Sequence, residues 1–113
     1  NSIREVEKHT GKTILPSLKE GYIKQMEEKL RDIKSLVSSR DARAISATAH
    51  AIKSMSVNIG ARHVAGISAN IEKEYSNGAI QTNHLENAIP RLTKAYFEFL
   101  KALDMALSDT HDS

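Results

Sequence analysis

No cysteine occurs in this 113-residue chain, which excludes a disulfide scaffold, a thiolate zinc site and a thiol nucleophile. Aromatic residues are scarce, with three tyrosines, two phenylalanines and no tryptophan. The expected core is therefore aliphatic. A surplus of one charge is missing too: 16 Lys and Arg face 14 Asp and Glu, a formal net charge of +2. Such a balance argues against nucleic acid or an anionic membrane surface as partner. No uncharged stretch approaches the roughly 20 residues that span a bilayer, and no signal-peptide layout opens the chain. Alternation with period two is nowhere sustained, and neither an internal repeat nor a low-complexity segment is visible. What is present is 40% apolar residues in 113, enough to line the core of one domain, 1–113, but not of two.

The few glycines and prolines punctuate the chain into helical blocks. A short first helix is expected at about 2–10, where Ser2 and Glu5 have capping-box spacing before Thr10-Gly11. The next block, about 15–38, tolerates Pro16 in its first turn. Ile23, Met26, Leu30, Ile33 and Val37 step along it by three and four, as one buried face does. On the opposite face Glu20 precedes Lys24 and Glu27 precedes Arg31 at the spacing of helix ion pairs. Asp41 is placed to N-cap a third block, about 41–58, and Gly60 supplies the turn out of it. A fourth, about 61–76, buries Val64, Ile67 and Ile71. The last, about 83–108, carries Leu85, Leu92, Tyr96, Phe99, Leu103 and Leu107, with Pro90 either kinking it or marking its first turn. Short links favour antiparallel neighbours. The expected fold is all-α, an antiparallel up-down four-helix bundle with a short additional N-terminal helix.

The third block carries the residue that does not belong to the core. Ile45, Thr48, Ile52, Met55 and Ile59 step 3-4-3-4 and predict its buried stripe. At about 100° per residue, His50 lies roughly 180° from the centre of that stripe. It faces solvent or a partner. Ser46, Lys53, Ser54 and Val57 share its outward face, with Ala47 and Ala49 close beside it. These small side chains allow another protein's backbone to approach the imidazole, and Lys53 stands one turn away to neutralise arriving charge.

The stretch from Ala49 to Glu72 resembles the histidine-containing phosphotransfer (HPt) family. That motif reads approximately A-H-x-L-K-G, then a glycine ten residues after the histidine, then an L-E pair late in the next helix. The matching residues are Ala49, His50, Ile52, Lys53 and Ser54, then Gly60, Ala61 and Val64, and finally Ile71-Glu72. Ser54 stands where glycine is commonest, but serine is also small; Ile52 replaces leucine and keeps its buried volume. In looser form the likeness runs from about Leu15 to Leu103.

The resemblance implies a phosphocarrier in a multistep two-component phosphorelay, with response-regulator receiver domains as partners. His50 would take a phosphoryl group from a receiver aspartate and pass it to another. A neutral imidazole suits that task because it is nucleophilic near physiological pH and forms a labile N–P bond. Nε2 is the expected attacking atom, with Nδ1–H held by an acceptor at the position of Glu72. Lys53 would stabilise phosphoryl oxygens. The docking surface would comprise Ser46, Ala47, Ser54, Val57 and Gly60, with Arg43, Asn58 and Arg62 on its rim. No cofactor is expected on this chain; magnesium would come from the receiver domain. There is no Gly-rich phosphate loop, so neither nucleotide use nor independent catalytic activity is expected. The family context implies a monomeric, cytoplasmic domain without direct membrane contact. The start at Asn1 rather than Met points to the C-terminal module of a hybrid sensor kinase, tethered to the inner membrane through its parent, with a stand-alone protein as the other context.

These residues have three rival uses. A dedicated metal site is disfavoured, since no two of the five histidines are spaced three or four apart on one helix and H-E-x-x-H is absent. A kinase dimerisation domain would follow its histidine with an acidic residue and then a proline; here Ala51 follows, and the next proline is Pro90. The remaining alternative is a non-catalytic helical adaptor, or a degenerate HPt homologue that only docks a response regulator. Such homologues lose the histidine, whereas His50 and Lys53 are both present. His9, His63, His84 and His111 have no comparable setting and are expected at the surface.

Overall fold

Four helices occupy the described part of the chain. The computed structural model describes residues 14–76 and 82–112, except for the side chains of 14–16, 82, 83 and 107–112. Helix α1 spans Ile14–Ser35, α2 Ala42–Ile59, α3 Arg62–Tyr75 and α4 Thr82–Asp112. The helix expected at about 2–10 lies outside the described residues. Among those residues there is no strand, and no helix is long and apolar enough to cross a membrane.

Local chemistry sets the ends of α2. The Asp41 carboxylate accepts the Ala44 N–H at 3.0 Å, satisfying one of the donors that a helix start leaves open. At the other end Gly60 adopts φ 86°, a conformation that costs a side-chain-bearing residue about 1 kcal/mol or more. Its N–H bonds the Val57 carbonyl while the Ala61 N–H reaches Ser56, the paired bonds of a Schellman turn. Arg40 takes φ 59° in the link before α2 without that freedom. Pro90 does not begin α4, which starts eight residues earlier at Thr82 and runs through it. Its missing N–H removes one bond from the helix ladder.

The helices pack in a ring that follows chain order, α1 on α2, α2 on α3, α3 on α4 and α4 back on α1. Cross-links fix their directions. Tyr22, early in α1, meets Ser56, late in α2; Ser46, early in α2, bonds the backbone of Glu72, late in α3. Lys19 at the start of α1 pairs with Asp104 far along α4. Successive helices are thus antiparallel, and the bundle is elongated at 49 × 21 × 18 Å. The long dimension is that of α4, whose 31 residues rise about 46 Å.

The core departs from the aliphatic expectation. Tyr22, Tyr75 and Tyr96 are buried beside Met26, Ile33, Ile45, Ile52, Leu85 and Leu92. In α1 the buried face is Tyr22, Met26, Leu30 and Ile33, while Ile23 and Val37 are half-buried. Tyr22 wins that position because its ring sits edge-on to both Tyr96 and Phe99, and its hydroxyl is 2.8 Å from Ser56 Oγ. Ile23 has no such partners to draw it in. Glu20, Lys24, Glu27 and Arg31 are all exposed, and neither sequence-spaced pair closes to ion-pair distance. Full burial of a side chain such as Ile52 contributes roughly 1.5–3 kcal/mol.

Candidate functional site

The buried stripe of α2 is narrower in bulk than the stepping of large residues suggested. Ile45, Ala49, Ile52, Ser56 and Ile59 are buried, whereas Thr48 and Met55 are half-buried. Ala49, expected beside His50 on the outward face, is fully buried. Small side chains at 49 and 56 let neighbouring helices come close, and Ser56 is satisfied by Tyr22. The stripe's centre therefore rotates, and His50 stands roughly 140° from it rather than opposite. The ring leans toward α3 while its side chain stays 58% exposed.

Glu72 waits on that side. His50 Nδ1 lies 2.8 Å from Glu72 Oε2, and Lys53 Nζ lies 2.8 Å from Glu72 Oε1. One carboxylate thus holds an imidazole on one oxygen and an ammonium on the other. Ser46 Oγ donates to the Glu72 carbonyl at 3.2 Å, tying the backbone beneath the carboxylate to α2. The Lys53 ammonium holds the Glu72 carboxyl below the usual carboxylate range; partial burial opposes this and the His50 contact adds to it. An ionised acceptor on Nδ1 favours the tautomer with the proton there, leaving the Nε2 lone pair free.

The imidazole opens onto a surface hollow lined by Arg43, Ser46, Ala47, His50, Glu72, Tyr75 and Ser76. Tyr75 and Ser76 were not anticipated there. Their signal was spacing: with Glu72 they stand at i, i+3 and i+4, which share one helix face. Lys53, expected to stabilise phosphoryl oxygens, has its ammonium on Glu72 here, a partner not anticipated from the sequence.

A family model for the Hpt domain matches residues 17–111. The chain belongs to the Hpt domain family. Searches of curated proteins and of solved structures return no match. Membership assigns the domain a phosphotransfer role in phosphorelay signalling, with response-regulator receiver domains as the partners of the family.

Around the histidine of this Hpt domain, Ala47, Ser54 and Val57 are exposed, as are Arg43, Asn58 and Arg62, while Ser46 and Gly60 are half-buried. Gly60 serves as the left-handed cap of α2. His63 is exposed. His84 is exposed too, as expected, and its Nδ1 meets Glu74 Oε1. Among the described residues that pair has no ammonium on its second oxygen, unlike the carboxylate of Glu72. The expectations for His9 and for the His111 side chain lie outside the described residues.

Proposed function

We propose that this Hpt domain carries a phosphoryl group on His50 Nε2 between the aspartates of two receiver domains. The observation that carries the reading is the 2.8 Å contact between His50 Nδ1 and Glu72 beneath a ring that is more than half exposed. In the transfer, the Nε2 lone pair attacks phosphorus, the N–P bond forms, and the P–O bond to the aspartate breaks. The aspartate leaves as a carboxylate. The ring keeps its Nδ1 proton, so phosphorylation at Nε2 makes it formally cationic, and the Glu72 carboxylate offsets that charge. Transfer onward reverses the same steps at a second aspartate.

Lys53 has two claims on its ammonium in this scheme. In the resting domain it neutralises Glu72; during transfer it reaches toward phosphoryl oxygens from one turn along α2. The divalent cation of the reaction is the receiver's, and the Hpt domain contributes the positioned nucleophile and the small-residue face around it. Nucleotide takes no part. The domain acts as a monomer docked by one receiver at a time.

A radiolabelled phospho-receiver tests the reading directly. It should label the wild-type domain and His84→Gln, and leave His50→Gln unlabelled with its helical circular dichroism unchanged. Label retained by His50→Gln would overturn the assignment. A wild-type domain that binds receivers yet never takes label would be an adaptor instead.

A further inference from the structure

The ring order of the helices places a second surface opposite the first. His50 and Glu72 sit on the α2–α3 seam. Because α1 touches α2 and α4 while α3 touches α2 and α4, the α4–α1 seam lies diametrically across the bundle. There a hollow is lined by Ile89, Pro90, Thr93 and Phe97 together with Lys34, Lys94 and Lys101, and Glu98 is its one acid.

Two properties of this hollow point to a ligand. Phe97 is 59% exposed, its ring tilted against that of Tyr96, so a large apolar ring stands at the surface. An exposed aromatic ring beside cationic side chains offers a bound segment both an apolar anchor and a charged flank. The charged lining, moreover, is cationic and uncommitted. Lys19, Lys29 and Lys53 are paired with carboxylates, whereas none of Lys34, Lys94 and Lys101 is within ion-pair distance of an acid among the described residues. Pro90, Lys94, Phe97 and Lys101 step by four, three and four, which sets them on one outward stripe of α4.

The geometry points to an acidic protein segment as the occupant, with an apolar side chain inserted between Pro90 and Phe97 and carboxylates on the three lysines. Charge complementarity selects this chemistry: three ammonium groups against one carboxylate stand beside the apolar side chains. A bilayer fits less well. Lys94 and Lys101 alternate with Pro90 and Phe97 along one stripe of α4 instead of standing on the opposite helix face, so insertion would drag ammonium groups toward hydrocarbon. Occupancy leaves the His50 seam open, so a segment bound here would hold the domain near its relay partners without blocking transfer.

The test uses the isotope-labelled domain and a synthetic helical peptide of glutamate, alanine and leucine, followed by NMR. Amide shifts are expected at Lys34, Thr93, Lys94 and Phe97 but not at His50. Phe97→Ala, and separately Lys94→Glu with Lys101→Glu, should each weaken binding at least tenfold. A peptide with lysine in place of glutamate should not bind, nor should phosphatidylserine vesicles retain the domain. The proposal is overturned by an absence of shifts at millimolar peptide, by shifts on the His50 seam instead, or by unchanged affinity in the variants. Vesicle binding that Phe97→Ala abolishes, without peptide binding, would assign the patch to lipid and overturn it equally. No phosphorylation enters the measurement, so its failure is distinct from any failure of the phosphotransfer reading.

Discussion

Glu72 Oε2 lies 2.8 Å from His50 Nδ1 across the seam between α2 and α3. The contact joins a residue chosen for its outward phase on one helix to a half-buried carboxylate on the next. Its consequence is chemical: an acceptor fixed on Nδ1 decides which ring nitrogen keeps the proton.

Removal of that acceptor should therefore change tautomer before it changes fold. In Glu72→Ala, nitrogen NMR of the imidazole is expected to show both neutral tautomers, where the wild-type ring shows the Nδ1–H form. Phosphoryl transfer to His50 should slow by roughly 10- to 100-fold, the cost of a mispositioned reactant. Glu72→Gln should recover part of the rate, because the amide oxygen still accepts the Nδ1–H bond. A single Nδ1–H tautomer surviving in Glu72→Ala would show that Glu72 does not orient the ring.

Lys53 should reveal itself through the titration of Glu72. The ammonium is the largest influence holding that carboxyl below its usual range, so Lys53→Met is expected to raise the Glu72 pKa, as followed by carboxyl carbon NMR. The sign for stability follows. A depressed carboxyl stabilises the fold at pH above its ordinary value of about 4.3, and that contribution fades as pH falls through the depressed one. Lys53→Met should narrow this window from the acid side. A Glu72 titration that ignores the substitution would mean that the ion pair is not formed in solution.

How far these features could be read from the chain depended on how local their causes are. Asp41 and Gly60 were legible because capping is decided within four residues of each. The outward phase of His50 was legible from the 3-4 stepping of its neighbours. Its lean toward α3 was not, since it depends on Ala49 and Ser56, small residues whose burial is set by how closely other helices approach. The Lys53–Glu72 pair was missed for a similar reason: reading α2 alone gives Lys53 an exposed face and no acid. In α1, the stepping of Ile23 hid Tyr22, whose claim to the core comes from Ser56, Tyr96 and Phe99 on other helices.

The two buried tyrosines of the α1–α4 interface should behave oppositely when their hydroxyls are removed. The Tyr96 hydroxyl is buried with no hydrogen-bond partner among the described residues, so Tyr96→Phe should be neutral or stabilise by up to about 1 kcal/mol in urea unfolding. Tyr22→Phe instead strands the buried Ser56 hydroxyl, and should destabilise by about 1–2 kcal/mol. Alkaline pH discriminates further. Burial pushes both phenols up to about 12, above the ordinary value near 10. Folding therefore favours the neutral rings: their contribution is complete below about pH 10 and is lost as pH rises toward 12. The wild-type domain should lose stability across that interval, and Tyr22→Phe with Tyr96→Phe should flatten the loss by up to about 2 kcal/mol per tyrosine. An equally steep loss in the double variant would place the alkaline sensitivity elsewhere, in deprotonation of the surface lysines.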